Sequence, residues 1–426
     1  MRRILGWAVV IGGLGVGSVW GQGQVLLRAE QFRAQLHRAE QAIATEALPQ
    51  GAAQQLRAGP QFQLDSLFAA QEARLPGTGY ARLPSVKAPP GAPELLRHER
   101  HAIVDYFIGR KMLHVFVIDR KETHYRVLPM PDDLLVQMAD LRSSLAERKM
   151  TAEGFRRASH RLYTVLLAPL EDLLVEMDQL TVVRDYRMAA FPFGVLVQSE
   201  LGPANFRTLR YLLRDYAVGY AHSVEHLAAA AERKRVDREV AAVYSPGGFS
   251  AGAVPGLDAH WEVVSASEVG AEGLRIAWVQ GTDAAVWAAD LWGERPVDLV
   301  VADWAWQPGG EPAERDRRGM ELVYRWQRSG VKSVVIPAWR GSEGVGTEVL
   351  RYFLAALVDR QYTDQSLRYA KMEYLTQAEE GRTHPGYWAN WQLYDDFGPL
   401  RAQPNFPWYV FLVGAFLLVV VLGRRL

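Results

Sequence analysis

Three patterns in this 426-residue chain combine residue types that could do chemistry. The first is Gly248-Phe249-Ser250-Ala251-Gly252, a G-x-S-x-G arrangement. At a sharp strand-to-helix turn this motif lifts a serine hydroxyl to the top of a sheet, where a base can activate it as a nucleophile. A strand at 241–244 precedes it, but Pro246-Gly247 intervene and Ala253-Val254-Pro255-Gly256 stand where the helix should begin. A Gly-rich loop accounts for the same residues. The second pattern is His222 and His226 around Glu225, an H-x-x-E-H spacing that puts two imidazoles one helical turn apart. A zinc site needs that spacing and a third ligand, and 227–232 offers no evident one. The alternative is a loop histidine at 222 and a partly exposed helix histidine at 226. The third pattern is an aspartate after each of three apolar runs: Asp119, Asp185 and Asp303. Open α/β sheets bind ligands outside the carboxyl ends of their strands. Asp303, Trp304 and Trp306 with Arg340 would then form a polar, aromatic-lined crevice. The competing role for such aspartates is to cap the next turn.

These residues need elements to hold them. Short β-rich runs are predicted at 113–118, with a hairpin partner at 125–128, and at 180–183, 241–244, 275–279, 298–301 and 333–336. Helices are predicted at 131–149, starting on a Pro-Asp-Asp cap, and at 152–175, 320–329, 347–360 and 364–379. Continuous apolar strands alternating with amphipathic helices imply an α/β fold, a mostly parallel sheet flanked by helices. Residues 23–90 read differently: one or two helices short of large aliphatics, loosely built, then a Pro/Gly-containing linker. No 34-residue self-similarity supports a helical repeat array.

Composition excludes several function classes. There is no cysteine, which removes disulfides, thiolate nucleophiles and cysteine-ligated metal sites. Forty-eight basic residues balance 48 acidic ones, so no bulk charge favours nucleic acid as a partner. The 49% hydrophobic and 23% charged content is that of a folded chain, not a disordered one. Thirteen tryptophans require a substantial core or an aromatic-lined surface.

The ends suggest export. Met1-Arg2-Arg3 precedes an uncharged, Gly-rich run from Ile4 to Gly21, the pattern of a signal peptide over 1–22. No charge occurs from Ala402 to Gly423, a length that crosses the ~30 Å hydrocarbon core. Trp408 and Tyr409 mark one interface of that run, and Arg424 and Arg425 close it on the cytoplasmic side. The expected layout is a signal peptide at 1–22, a helical arm and linker at 23–90, an α/β domain at 91–400, a transmembrane helix at 404–423 and a cytoplasmic tail at 424–426. The expected location is a bacterial inner membrane, single-pass, with the main domain periplasmic.

The middle of the chain resembles the CHAT domain, a caspase-like module related to separase. The resemblance rests on seven segments in order over about 95–395. They are Asp105-Tyr106-Phe107 with 113–118; Leu162-Tyr163 with 167–170; 180–185 with Phe191-Pro192-Phe193; 214–221; Val254-Pro255-Gly256 with Glu262-Val263; 330–339; and 366–370 with His384-Pro385 and Tyr387-Trp388-Ala389. The resemblance implies a caspase-like fold and, in peptidase members, a His/Cys dyad on the ends of two neighbouring core strands. Here the nucleophile position falls on Ala305, and the stretch between Gly281-Thr282-Asp283 and Asp298 looks too short for the histidine strand and contains no histidine. The resemblance therefore implies a member without its catalytic pair. The expectation is a non-enzymatic protein- or peptide-binding module with no cofactor and no metal, using the crevice of Asp303, Trp304, Trp306 and Arg340. An enzyme with another centre, at Ser250 or at His222/His226, is the alternative.

Overall fold

A computed structural model describes residues 20–46, 50–72, 81–82, 86–87, 95–96, 98–188, 190–233, 235–236, 240–244, 261–265, 273–281, 295–304, 319–320, 322–327, 329–339, 345–359, 362–395, 398 and 400. Two helices come first, α1 (Trp20–Glu46) and α2 (Gln50–Glu72), then two short strands, β1 (Ala81–Arg82) and β2 (Val86–Lys87). The meander β3 (His101–Ile108), β4 (Met112–Ile118) and β5 (Glu122–Pro129) follows. β3 and β4 are buried along their whole length and are apolar except at His101, Asp105 and His114. Asp119 builds the β4–β5 turn: its Oδ1 accepts the amides of Lys121 and Glu122 at 2.6 and 2.7 Å.

Next come α3 (Leu134–Glu147) and α4 (Ala152–Leu166). Asp133 caps α3 by position, but its side chain makes no capping bond. Thr151 caps α4 through its hydroxyl, which accepts the Gly154 amide at 3.2 Å. The single helix expected over 152–175 is broken. α4 stops at Leu166, and the chain turns through a 3-10 segment, Ala168–Leu170, into a short helix, Glu171–Leu174. Pro169 is the cause, since it lacks a donor and its ring clashes with the preceding turn.

The remaining elements are β6 (Gln179–Val183), β7 (Ala217–Ala221), α5 (Val224–Glu232), β8 (Val240–Tyr244), β9 (Glu262–Ser265), β10 (Leu274–Gly281), β11 (Val297–Trp304), β12 (Val331–Pro337), α6 (Val345–Asp359), α7 (Thr363–Gln377), α8 (Pro385–Trp388) and β13 (Trp391–Asp395). Among the described residues, thirteen strands form one sheet in the order β1-β5-β4-β3-β6-β7-β13-β12-β11-β10-β8-β9, with β2 also on β5. Neighbours in the block β9-β8-β10-β11-β12 are all parallel. So are neighbours in the block β3-β6-β7-β13. The two blocks meet antiparallel at β12–β13. The carboxyl ends of one block therefore lie beside the amino ends of the other.

The arm is not loosely built. Val25, Leu26, Ala29, Leu64 and Phe68 are buried in the same core as β3 and β4. A buried charge cluster fixes α1 to β3. Arg33 donates to Asp105 Oδ1 at 2.6 Å, to Glu30 Oε1 at 2.5 Å and to the Tyr106 carbonyl at 2.8 Å. Its guanidinium lies 3.8 Å from the Phe107 ring centroid. Glu30 Oε2 accepts the Val224 amide at 2.9 Å, on the first residue of α5. Burial drives the Asp105 carboxyl well above its usual range, and Arg33 opposes that shift. Residues 1–19 and 401–426 lie outside the described residues, so the expected signal core and membrane span fall there, while residues 20–22 already belong to α1. Among the described residues no helix is long and apolar enough to cross a membrane.

Removing the cation from this cluster leaves two buried carboxylates facing each other. Arg33→Met is expected to cost about 3–5 kcal/mol of unfolding free energy in a denaturant titration. A loss under about 1 kcal/mol, the range of exposed ion pairs, would show that the cluster does not hold the arm.

Candidate functional site at the carboxyl edge of the second strand block

β8, β10, β11 and β12 run parallel and end side by side. Val279 is paired with Tyr244, Gly281 with Trp304, and Val301 with Val335. Within the block β9-β8-β10-β11-β12 the chain order is second, first, third, fourth, fifth, so the winding reverses between β8 and β10. A ligand crevice forms at such a reversal because the two outgoing loops diverge.

The sequence candidates map onto this edge unevenly. Asp303 and Trp304 are the last two residues of β11, in register with Gln280 and Gly281. They are strand residues, not turn residues. Ala305 and Trp306 follow at once, Arg340 lies three residues beyond Pro337, and Ser250 six beyond Tyr244. These four fall outside the described residues, as do the side chains of Asp303 and Trp304.

β10 lies directly beside β11, so its last residues Gln280-Gly281 stand next to Asp303-Trp304, and the sequence continues from β11 into Ala305.

Trp339, just past β12, belongs to the packing. It is buried, and its indole N–H donates to the Gly386 carbonyl at 3.1 Å. The Ala338 carbonyl accepts from Arg142 at 2.9 Å, and the Ala338 amide donates to Asn390 at 2.7 Å. These bonds tie the end of β12 to α3 and to the start of β13. His384 stays in this floor as a neutral ring, its pKa lowered to about 4 by burial and by Arg148, with Nδ1 accepting the Gly386 amide at 3.0 Å.

The histidine pair stands at the other edge. His222 follows the carboxyl end of β7, and His226 is on α5. Their rings are 5.9 Å apart and edge-to-face. His226 Nδ1 lies 2.9 Å from the Ser223 hydroxyl, and its ring is 4.9 Å from Tyr324. Burial, then the Arg233 charge, lowers the His226 pKa to about 4. Among the described residues no three His, Cys, Asp or Glu side chains converge on a metal position. Asp185 has a structural role there: it accepts the Ile108 amide at 2.9 Å and pairs with Arg187 at 2.8 Å.

Residues 156–279 match the CHAT domain family. The match runs from α4 into β10 and stops before β11, narrower than the seven resembling segments. No curated protein matches the sequence. Among solved structures, the chain is similar to separase in the separase–securin complex of Saccharomyces cerevisiae. That likeness has 8% identity and a TM-score of 0.41, over 90% of this chain and 34% of the separase chain. The chain therefore spans about a third of the length of that structure. It is also similar to the Arg-specific cysteine proteinase gingipain R, with 9% identity and a TM-score of 0.34, over 62% of this chain and 74% of that one. The gingipain of Porphyromonas gingivalis with its pro-domain gives 10% identity, 62% and 75% coverage, and a TM-score of 0.32.

Inside the CHAT match, Arg184 is a buried cation that the sequence reading missed. It donates to the Phe191 carbonyl at 2.9 Å, to Gln392 Oε1 at 3.2 Å and to the Tyr394 hydroxyl, and it lies 4.3 Å from the Tyr220 ring centroid. It ties the matched segment to β13, which lies beyond the match. Two further buried groups, both on α7, escaped notice. Asp364 has its pKa raised to about 7 by burial, although Oδ1 accepts the Gln365 amide at 2.8 Å. Lys371 has its pKa lowered to about 7 by burial, and Nζ donates to the Trp391 carbonyl at 2.6 Å. An isolated Asp or Lys on a helix carries no sequence signal that separates burial from exposure.

Lys371 sets a pH dependence. The folded chain releases this proton near pH 7, the unfolded chain only near ~10.4. Between these values the unfolded state binds more protons, so stability rises with pH there. The lysine's penalty is full below about pH 7 and gone above about 10.4. Lys371→Met is expected to raise Tm at pH 7 and to raise it progressively less toward pH 10. A Tm difference that does not change with pH would contradict the assignment.

Proposed function

We propose that the chain is a catalytically inactive, CHAT-like protein-binding or scaffolding module held on the periplasmic side of a bacterial membrane. One observation carries the inactive reading. The chain contains no cysteine, and its two adjacent strands β10 and β11 lead into Gln280-Gly281 and Ala305 instead of a base and a thiol. Thiolate attack on a carbonyl needs both groups within hydrogen-bond reach, and neither residue supplies either function. The anchored reading is supported by the uncharged run from Ala402 to Gly423, bounded by Trp408-Tyr409 and Arg424-Arg425, and by the signal-like start.

A crevice without catalytic groups keeps its value as a peptide groove. Asp303 and Trp304 end β11, Trp306 follows it and Arg340 follows β12, so the ends of these two neighbouring parallel strands carry one acid, one guanidinium and two indoles. The alternative, an enzyme using Ser250 or His222/His226, must work from one edge alone. Ser250 follows the carboxyl end of β8, and the histidines follow the carboxyl end of β7, which faces the opposite way.

The test is co-purification of the full chain from detergent-solubilised membranes. A protein partner in fixed ratio is expected. Trp306→Ala combined with Arg340→Ala should remove that partner at least tenfold while leaving Tm unchanged. A chain that purifies alone, or a variant that keeps its partner, would contradict the binding role of the crevice.

A further inference from the structure

Leu400, the last described residue, has a defined place in the fold. Leu400 is buried, and its carbonyl accepts a hydrogen bond from Arg275 Nη1. Arg275 also holds Asp298 Oδ2 at 2.9 Å, and Asp298 accepts the Val236 amide at 3.2 Å. Arg275 is the second residue of β10 and Asp298 the second of β11. Leu400 is therefore pinned to the amino edge of the block β9-β8-β10-β11-β12, opposite the edge that carries Asp303 and Trp304.

Only residues 401–403 separate this point from the span proposed at 404–423. Four residue steps reach at most about 14 Å when fully extended. β10 is eight residues long, which puts its carboxyl end roughly 23 Å from its amino end. While Leu400 stays pinned, that tether is too short to bring the crevice edge down to the bilayer.

The charges on the pinned edge favour one kind of surface. Arg233, Arg235, Arg295 and Arg325 are each half-buried. Arg233 donates to the Val331 carbonyl at the start of β12, and Lys332 donates to the Arg233 carbonyl. Arg325 accepts the Ser329 amide through its carbonyl just before β12, and the Arg295 carbonyl lies beside Gly330. The exposed acids on the same edge are Glu225 and Glu232 of α5 and Glu262 at the start of β9, while Asp298 and Asp395 are buried. Arginines clustered within a Debye length of a leaflet bind anionic headgroups.

We propose that the edge formed by the amino ends of β10, β11 and β12 rests on anionic lipid headgroups, with the crevice facing away from the membrane. This rests on the reading of 404–423 as a membrane span. It makes the crevice available to partners approaching from the aqueous side.

The absence of cysteine makes the test direct, because one introduced cysteine is the only labelling site. Glu232→Cys marks the arginine rim. Lys121→Cys marks the opposite edge, in the exposed β4–β5 turn. Each full-length variant, with Tm checked after fluorophore labelling, is reconstituted into phosphatidylglycerol/phosphatidylcholine vesicles carrying a headgroup-level quencher and then floated on a density gradient. The label at 232 is expected to be quenched at least threefold more than the label at 121. That contrast should shrink in pure phosphatidylcholine and with Arg233→Gln, Arg235→Gln and Arg325→Gln combined. Equal quenching, or stronger quenching at 121, in protein that floats overturns the orientation and leaves the anchor standing. A contrast that persists unchanged in pure phosphatidylcholine overturns the headgroup pairing. Protein that fails to float overturns the anchor, and the orientation with it.

Discussion

Between β12 and β13 the sheet reverses direction: Ser333 faces Asp395, and Pro337 faces Trp391. Everything parallel to β12 points its carboxyl ends one way, and everything parallel to β13 points them the other. Residues at strand ends are thereby sorted to two edges before any side chain is considered. The crevice candidates go to one edge. The histidine pair, Asp185 and the α1 charge cluster go to the other. The pairing also decides where Leu400 lies, since it follows β13 and its carbonyl accepts from Arg275 at the amino end of β10.

Beside the seam, β13 is fixed in place by buried polar groups as well as by backbone pairing. Arg184 at the end of β6 bridges to Gln392 and Tyr394 of β13. Lys371 on α7 binds the first carbonyl of β13, and the Ala338 amide after β12 binds Asn390 just before it. Such groups are costly to desolvate, and their value lies in fixing which strands pair. Arg33 plays the same part for the arm, since an apolar α1 face alone would tolerate slippage along β3.

Much of the fold was legible in the sequence. Strands such as 180–183 and 333–336 are continuous apolar runs, and burial on both faces writes them that way. α6 carries clear helical periodicity, whereas α7 buries Thr363, Asp364, Ser366 and Lys371 beside its apolar residues and reads more weakly. β13 was missed because Gln392 and Asp395 interrupt a five-residue run, and their burial depends on partners far away in sequence. The break at Leu167 was missed although Pro169 announces it, because the apolar period continues through the turn. In the crevice, residue types were legible and their juxtaposition was not. Gln280 gains meaning only once β10 is known to lie beside β11. The charge cluster of Glu30, Arg33 and Asp105 was illegible for the same reason, since a Glu/Arg pair three apart reads as an ordinary solvated helix face.

The central claim is that this fold carries no catalytic centre of its own. It is tested most directly by incubating the full-length chain, in detergent and over pH 5–9, with a diverse peptide and ester library. Product is followed by mass spectrometry, with a fluorophosphonate probe and a chelator run in parallel. The expected result is no turnover above the buffer blank and no adduct on any residue. Turnover abolished by Ser250→Ala, by His226→Gln or by the chelator, or a stoichiometric adduct at Ser250, would contradict the claim.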